Sequence, residues 1–141
     1  MTLYAESSAV LRWLFNEAAG QRVLDHLRQA SKVVASRLTL VECRRVIRRA
    51  VHERRVREVD ASDLSALLAQ AAARWAILEL YRDVAERAQG DFPLEPIRTL
   101  DALHLASALI LRQAIPDLAV LSTDERVRLN AAQLGFQVLP D

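Results

Sequence analysis

Glycine is scarce, with three in 141 residues. Gly20, Gly90 and Gly135 are too scattered to form a Gly-x-Gly-x-x-Gly phosphate turn, so a dinucleotide-binding domain is excluded and no nucleotide cofactor is expected. Cysteine is scarcer. Cys43 alone cannot close an intrachain disulfide, nothing about it indicates export, and beside Glu42 it reads as a small buried hydrophobe. Only seven residues are aromatic, and none alternates with the arginines as base-stacking platforms require. Trp13 and Trp75 therefore read as core or partner-interface anchors. Although 52% of the residues are hydrophobic, no apolar run approaches the roughly 18 needed to cross a bilayer. The opening Met1-Thr2-Leu3-Tyr4-Ala5-Glu6 lacks a basic n-region, so no signal peptide is expected. A single domain over residues 1–141, in the cytoplasm and away from membranes, is the expectation.

Lysine is nearly absent as well: 18 of the 19 basic residues are arginine. Net charge is only +1, which says nothing about nucleic acid, but arginines cluster at Arg44, Arg45, Arg48, Arg49, Arg54, Arg55 and Arg57. Glu53 and Glu58 lie in the same stretch.

Short apolar runs alternate with longer helical patterns. Thr2 to Ala5 reads as a strand, followed by a helix capped by Ser7 or Ser8 and running to about Phe15. Ala18 to Gln29 is an amphipathic helix and Val33 to Ala35 a second strand. One long helix is expected from about Leu38 to Arg57, and another from Asp60 or Ser62 to about Arg74. Ala76 to Leu80 is ambiguous by periodicity, with a strand favoured. Tyr81 to Gln89 is helical, and the two prolines of Asp91-Phe92-Pro93-Leu94-Glu95-Pro96 mark a loop. A helix from Leu100 to Gln113, a strand from Leu118 to Leu121, a helix from Asp124 to Leu134 and a strand from Phe136 to Leu139 complete the chain. This alternation predicts an α/β fold, a small parallel sheet of four or five strands flanked by helices on both faces.

Four carboxylates, Glu6, Glu42, Asp101 and Asp124, fall where apolar runs end or helices start. In a parallel sheet those points share one edge, where open α/β folds place ligand sites. Gathered carboxylates there suit Mg²⁺ or Mn²⁺. Each also has a plainer role. Ser122-Thr123-Asp124-Glu125 fits a capping box with Ser122 as N-cap, and Thr39-Leu40-Val41-Glu42 fits another. Glu6 resembles an ordinary surface residue at a strand end. Asp101 resists that treatment: its helix is apolar on nearly every side, and a carboxylate buried there must be paired, hydrogen-bonded or metal-bound. Asp101, His104 and Arg112 share one polar stripe.

Tyr4-Ala5-Glu6-Ser7-Ser8-Ala9-Val10, Leu38-Thr39-Leu40-Val41-Glu42, Arg98-Thr99-Leu100-Asp101-Ala102-Leu103-His104-Leu105-Ala106 and Leu121-Ser122-Thr123-Asp124-Glu125-Arg126 occur in the order and approximate spacing of the PIN domain. Across essentially its whole length the chain resembles toxins of the VapC type. The resemblance implies a three-layer fold and an Mg²⁺-dependent endoribonuclease, usually made beside an antitoxin that blocks its site. It makes Glu6 and Asp101 the main metal ligands, with Glu42 and Asp124 completing the catalytic acidic cluster. Ser8, Thr123 and His104 would support those acids from behind. Arg45, Arg48 and Arg49 would line an RNA groove or dock an acidic antitoxin segment, and a homodimer is expected. The family usually carries aspartate at the first acid. Glu6 adds a methylene there, which implies weaker activity or a preference for Mn²⁺.

The chemistry is coherent without that resemblance, because a divalent ion both activates water and neutralises phosphate oxygens. The rival reading is a PIN-like module that binds RNA or a partner, its metal geometry spoiled by Glu6. A receiver-type phosphoaspartate domain is disfavoured, since no aspartate stands near the first strand.

Overall fold

A computed structural model describes residues 1–141. Five short strands and seven helices follow in the order β1 (Thr2–Ala5), α1 (Ser7–Leu14), α2 (Gly20–Gln29), β2 (Lys32–Ser36), α3 (Arg37–His52), α4 (Glu58–Ala72), β3 (Ala76–Leu78), α5 (Arg82–Ala88), α6 (Thr99–Arg112), β4 (Ala119–Leu121), α7 (Glu125–Gln133) and β5 (Val138–Leu139). The strands form one parallel sheet, ordered β3-β2-β1-β4-β5. Ala76 to Leu78 pairs with β2, so the ambiguous segment is a strand.

Strand residues alternate between two apolar layers, as the two-residue side-chain period requires. Tyr4, Val34 and Val120 pack with Leu105 and Ala106 of α6, Val84 of α5 and Val127 of α7. Their neighbours Ala5, Val33 and Ala35 pack with Val10 of α1, Cys43 of α3 and Leu68 of α4. Leu3, Ala119 and Leu121 continue that layer against Ala9 and Val23. Helices thus cover both faces, and the strands read as continuous apolar runs because neither face meets water. No helix is long and apolar enough to cross a membrane.

The long helix expected through Arg57 ends early, and the helix expected from Asp60 or Ser62 starts ahead of those residues. α3 stops at His52, Arg54 takes a left-handed φ of 58°, and α4 begins at Glu58. Arg54, Arg55 and Arg57 therefore belong to a turn rather than to a helix face. The close approach of α1 and α2 depends on Gly20, where a Cβ would lie 2.4 Å from the Arg12 carbonyl oxygen. The proline loop is fastened at both ends. The Glu95 carboxylate accepts from the backbone N–H groups of Phe92 and Ile97, at 2.9 and 3.1 Å. Asn130 of α7 meanwhile pairs with both backbone groups of Leu94. That anchorage delivers Arg98 to the N-cap of α6.

Candidate active site

Chain direction changes sides at β1: β2 and β3 lie on one flank, β4 and β5 on the other. Such a switch point opens a crevice at the carboxyl ends of the adjoining strands. Glu6 directly follows β1 and is only 4% exposed, which removes the reading of a surface residue at a strand end. Its carboxylate is met by three hydroxyls. Ser7 Oγ donates to Oε1 at 2.9 Å, while Ser8 and Ser122 donate to Oε2, the latter at 2.7 Å. The longer arm of glutamate is thereby folded into a fixed cradle.

Glu42 reaches the same place from the second turn of α3. Ser7 Oγ lies 3.0 Å from Glu42 Oε1, so one hydroxyl touches both acids. His104 Nε2 lies 2.5 Å from the same Glu42 oxygen and 3.8 Å from Glu6 Oε1. An ionised carboxylate can only accept, which places a proton on Nε2, while Nδ1 pairs with the Tyr4 hydroxyl at 2.7 Å. Burial, with the Glu6 charge behind it, pushes the Tyr4 phenol up, so it remains a neutral donor. Cys43 takes no part: burial pushes its thiol up, assisted by the Glu42 and Glu6 charges, and disfavours the nucleophilic thiolate.

Asp101 is 5% exposed and sits in the first turn of α6. Arg98 Nε lies 3.3 Å from Asp101 Oδ2, and Arg98 Nη2 lies 3.2 Å from Asp124 Oδ2. One guanidinium therefore ties the third acid to the fourth. The Asp101 partnership, then the Asp124 charge, raises the Arg98 pKa, and the charge of Glu42 adds to it. All four acids are thus gathered, as two linked pairs.

Neither expected capping box forms. Asp124 itself is the N-cap of α7, accepting from Val127 N–H at 3.1 Å, which releases Ser122 to serve Glu6. Ser36 caps α3, while Thr39 Oγ1 donates to the Ala5 carbonyl at 2.9 Å and ties α3 to the end of β1. Ser8 Oγ accepts from the backbone N–H groups of Thr123 and Asp124, at 2.9 and 3.0 Å. Thr123 therefore contributes its backbone rather than its hydroxyl. Arg112, on the expected polar stripe, points elsewhere: it donates to the Leu134 carbonyl and stacks on Phe136. Sequence reasoning missed Arg98 as a site residue, although it directly precedes the acid-bearing helix.

Four carboxylates without a thiolate form the oxygen-rich donor set that hard divalent cations take. In kind, the residues fit such an ion. In this arrangement no three His, Cys, Asp or Glu side chains are placed to hold one ion together, and the Arg98 guanidinium supplies positive charge between two of the acids. Of the candidate contact arginines, Arg48 is held by Glu58 through two bonds, whereas Arg45 and Arg49 are exposed and unpaired.

Solved structures share the fold at low identity. VapC20 of Mycobacterium tuberculosis, described as a Sarcin-Ricin loop cleaving toxin, is 15% identical, with 95% of each chain covered and a TM-score of 0.64. A chain of a toxin-antitoxin complex from Klebsiella pneumoniae is 16% identical over 99% of this chain and 97% of that one, with a TM-score of 0.64. A chain of VapBC2 from Rickettsia felis, solved with promoter DNA, is 9% identical over 98% and 97%, with a TM-score of 0.61. No curated protein matches the chain. Residues 3–134 match the family model of the PIN domain, and the chain belongs to that family.

Proposed function

We propose that this chain is a metal-dependent endoribonuclease acting as the toxin of a toxin-antitoxin pair, as one domain over residues 1–141 in the cytoplasm. The observation that carries the reading is the burial of two acids, Glu6 and Asp101, each linked to a second acid: Glu42 through Ser7 and Asp124 through Arg98. Nothing structural requires buried carboxylates there, and burying them costs several kcal/mol unless their charge is used or compensated. Membership of the PIN family, with toxins among the structural neighbours, supports the assignment.

Mg²⁺ or Mn²⁺, when bound, supplies acidified water and a counter-charge for phosphate oxygens. Glu6, Glu42, Asp101 and Asp124 are the residues that would hold it. Ser7, Ser8 and Ser122 fix the Glu6 carboxylate without adding charge, and so leave the cluster's negative potential intact. His104 holds a proton on Nε2 against Glu42, orienting that carboxylate and supplying a donor at the cluster's edge. Arg98, two-thirds exposed on a buried acid, can turn outward to a phosphate once another cation balances Asp101 and Asp124. The expected partners are RNA, an antitoxin presenting a basic side chain to the acids, and a second copy of the chain.

Cleavage of single-stranded RNA by purified protein with Mg²⁺ or Mn²⁺, lost in EDTA and in Asp101→Asn, is the expected result. Equal weak cleavage by wild type and Asp101→Asn would reveal a contaminant. One observation favours the alternative of a binding module: Arg98 already neutralises part of the cluster. Absence of any Mn²⁺-induced rise in melting temperature, in folded protein free of antitoxin, would decide for it.

A further inference from the structure

A cleft of about 290 Å³ adjoins the acids, with Asp124, its neighbour Thr123 and the Glu6 partner Ser8 in its lining. Phe15 of the turn after α1 and Val46 of α3 supply an apolar wall, and Arg12 and Arg55 stand among its lining. Those two arginines are held only by exposed acids nearby in sequence: Arg12 by Glu17 at 3.5 Å, itself in the lining, and Arg55 by Glu53 at 3.0 Å. Exposed pairs of this sort contribute little and are readily exchanged for a phosphate.

α3 extends the same track. At 100° per residue, Val46 and Arg49 lie within about 40° of Glu42 on the helix surface and Arg45 within about 60°, whereas Arg48 is turned about 120° away. Arg49 stands about 10 Å along the axis from Glu42. Of the unpaired arginines of α3, Arg45 and Arg49 share a face with the acid while Arg44 lies about 160° away, and Arg48, on another face, is occupied by Glu58.

Resting on the nuclease reading, we propose that this cleft is a subsite for one nucleotide of single-stranded RNA adjoining the scissile phosphate. The base lies against Phe15 and Val46, and the flanking phosphates are gripped by Arg12, Arg55 and the Arg45/Arg49 row. The chemistry selects a nucleotide over an acidic peptide. An acidic peptide would carry carboxylates beside Asp124 and Glu17, whereas a nucleotide can lay an uncharged base there and its phosphates on Arg12 and Arg55. The volume lies at the small end of ligand pockets and suits a base splayed out of a single strand rather than a duplex.

Binding is measured by fluorescence anisotropy with a short single-stranded RNA in the cleavage-disabled Asp101→Asn protein, over a range of salt. Arg12→Ala and Arg55→Ala are each expected to weaken binding about fivefold and to reduce the salt slope by about 0.7 for each phosphate that is no longer neutralised. Phe15→Leu, which keeps the apolar volume but removes the ring, is expected to weaken it about fivefold or more. Arg48→Ala is expected to bind as the parent does. In otherwise wild-type enzyme the first three changes raise KM with kcat nearly unchanged. A wild type that cleaves RNA while all three variants bind normally overturns the subsite and leaves the nuclease reading standing. A folded wild type that neither cleaves nor binds RNA overturns both. Variants that retain RNA but lose an oligoglutamate peptide overturn the nucleotide in favour of a protein segment.

Discussion

Arg98 is bonded through Nη2 to Asp124 across a gap of 26 residues while its Nε holds Asp101 three residues away. The arginine therefore competes with any cation drawn to those acids. Arg98→Ala is expected to bind Mn²⁺ several-fold more tightly, reflecting about 1 kcal/mol of relieved charge competition. Without metal it should melt lower, because Asp101 loses its partner. Calorimetric titration checks the first effect and thermal unfolding the second. Unaltered Mn²⁺ affinity would mean that Arg98 and the ion do not share these oxygens.

Glu6→Gln is expected to lose cleavage by about 100-fold or more while remaining folded, because its three serine hydroxyls can rotate to suit an amide. Glu6→Asp retains the charge with a shorter arm, and is expected to cleave at least as well as wild type. Cleavage by Glu6→Gln at the wild-type rate would remove this residue from the chemistry.

His104 is 1% exposed and hydrogen-bonded through both ring nitrogens, so its loss has a structural and a chemical component. Tyr4→Phe strands Nδ1 and is expected to destabilise the protein by about 1–3 kcal/mol. His104→Ala adds a cavity and frees Glu42 from its donor, with an expected cost of about 2–4 kcal/mol. Denaturant unfolding measures both. A Tyr4→Phe protein as stable as wild type would show that the Tyr4–His104 bond contributes nothing net.

Alkali is expected to destabilise the fold through two buried neutral groups. Folding raises the pKa of both the Cys43 thiol and the Tyr4 phenol, chiefly by burial. The native state keeps protons that the unfolded chain releases above its ordinary values of about 8.5 for cysteine and 10 for tyrosine. Their contribution is complete below those values and declines as pH rises past them. The decline is about 1.4 kcal/mol per pH unit for each group. Stability measured from pH 8 to 11 should fall more gently in Cys43→Ala, with the slopes diverging above about pH 8.5. Equal slopes would show that the thiol ionises inside the fold.

Much of the fold is readable from sequence. Apolar runs with no polar alternation, such as Leu118 to Leu121, mark strands buried on both faces, and helical patterns between them force a parallel sheet. Asp101 stands out because an acid within an almost wholly apolar helix has no ordinary use. The long helix fails at His52 because no proline or glycine marks the break, and Arg54 adopts the left-handed conformation without any local signal. Ser7, Ser122 and Arg98 escape notice as site residues for a different reason. A serine at a helix start already has a local explanation, and only the apposition of β1 and β4 shows that two of these hydroxyls meet one carboxylate.

The Ser7, Ser8 and Ser122 cradle, together with Thr39 on the Ala5 carbonyl, places Glu6 with uncharged donors. Ionic strength reaches such bonds weakly, whereas it screens exposed guanidinium groups within a Debye length of about 8–10 Å. Holding Glu6 in position and capturing a polyanion are consequently governed by separate forces. Salt acts as a dial on how often a strand arrives and leaves almost untouched the Glu6 carboxylate that it meets.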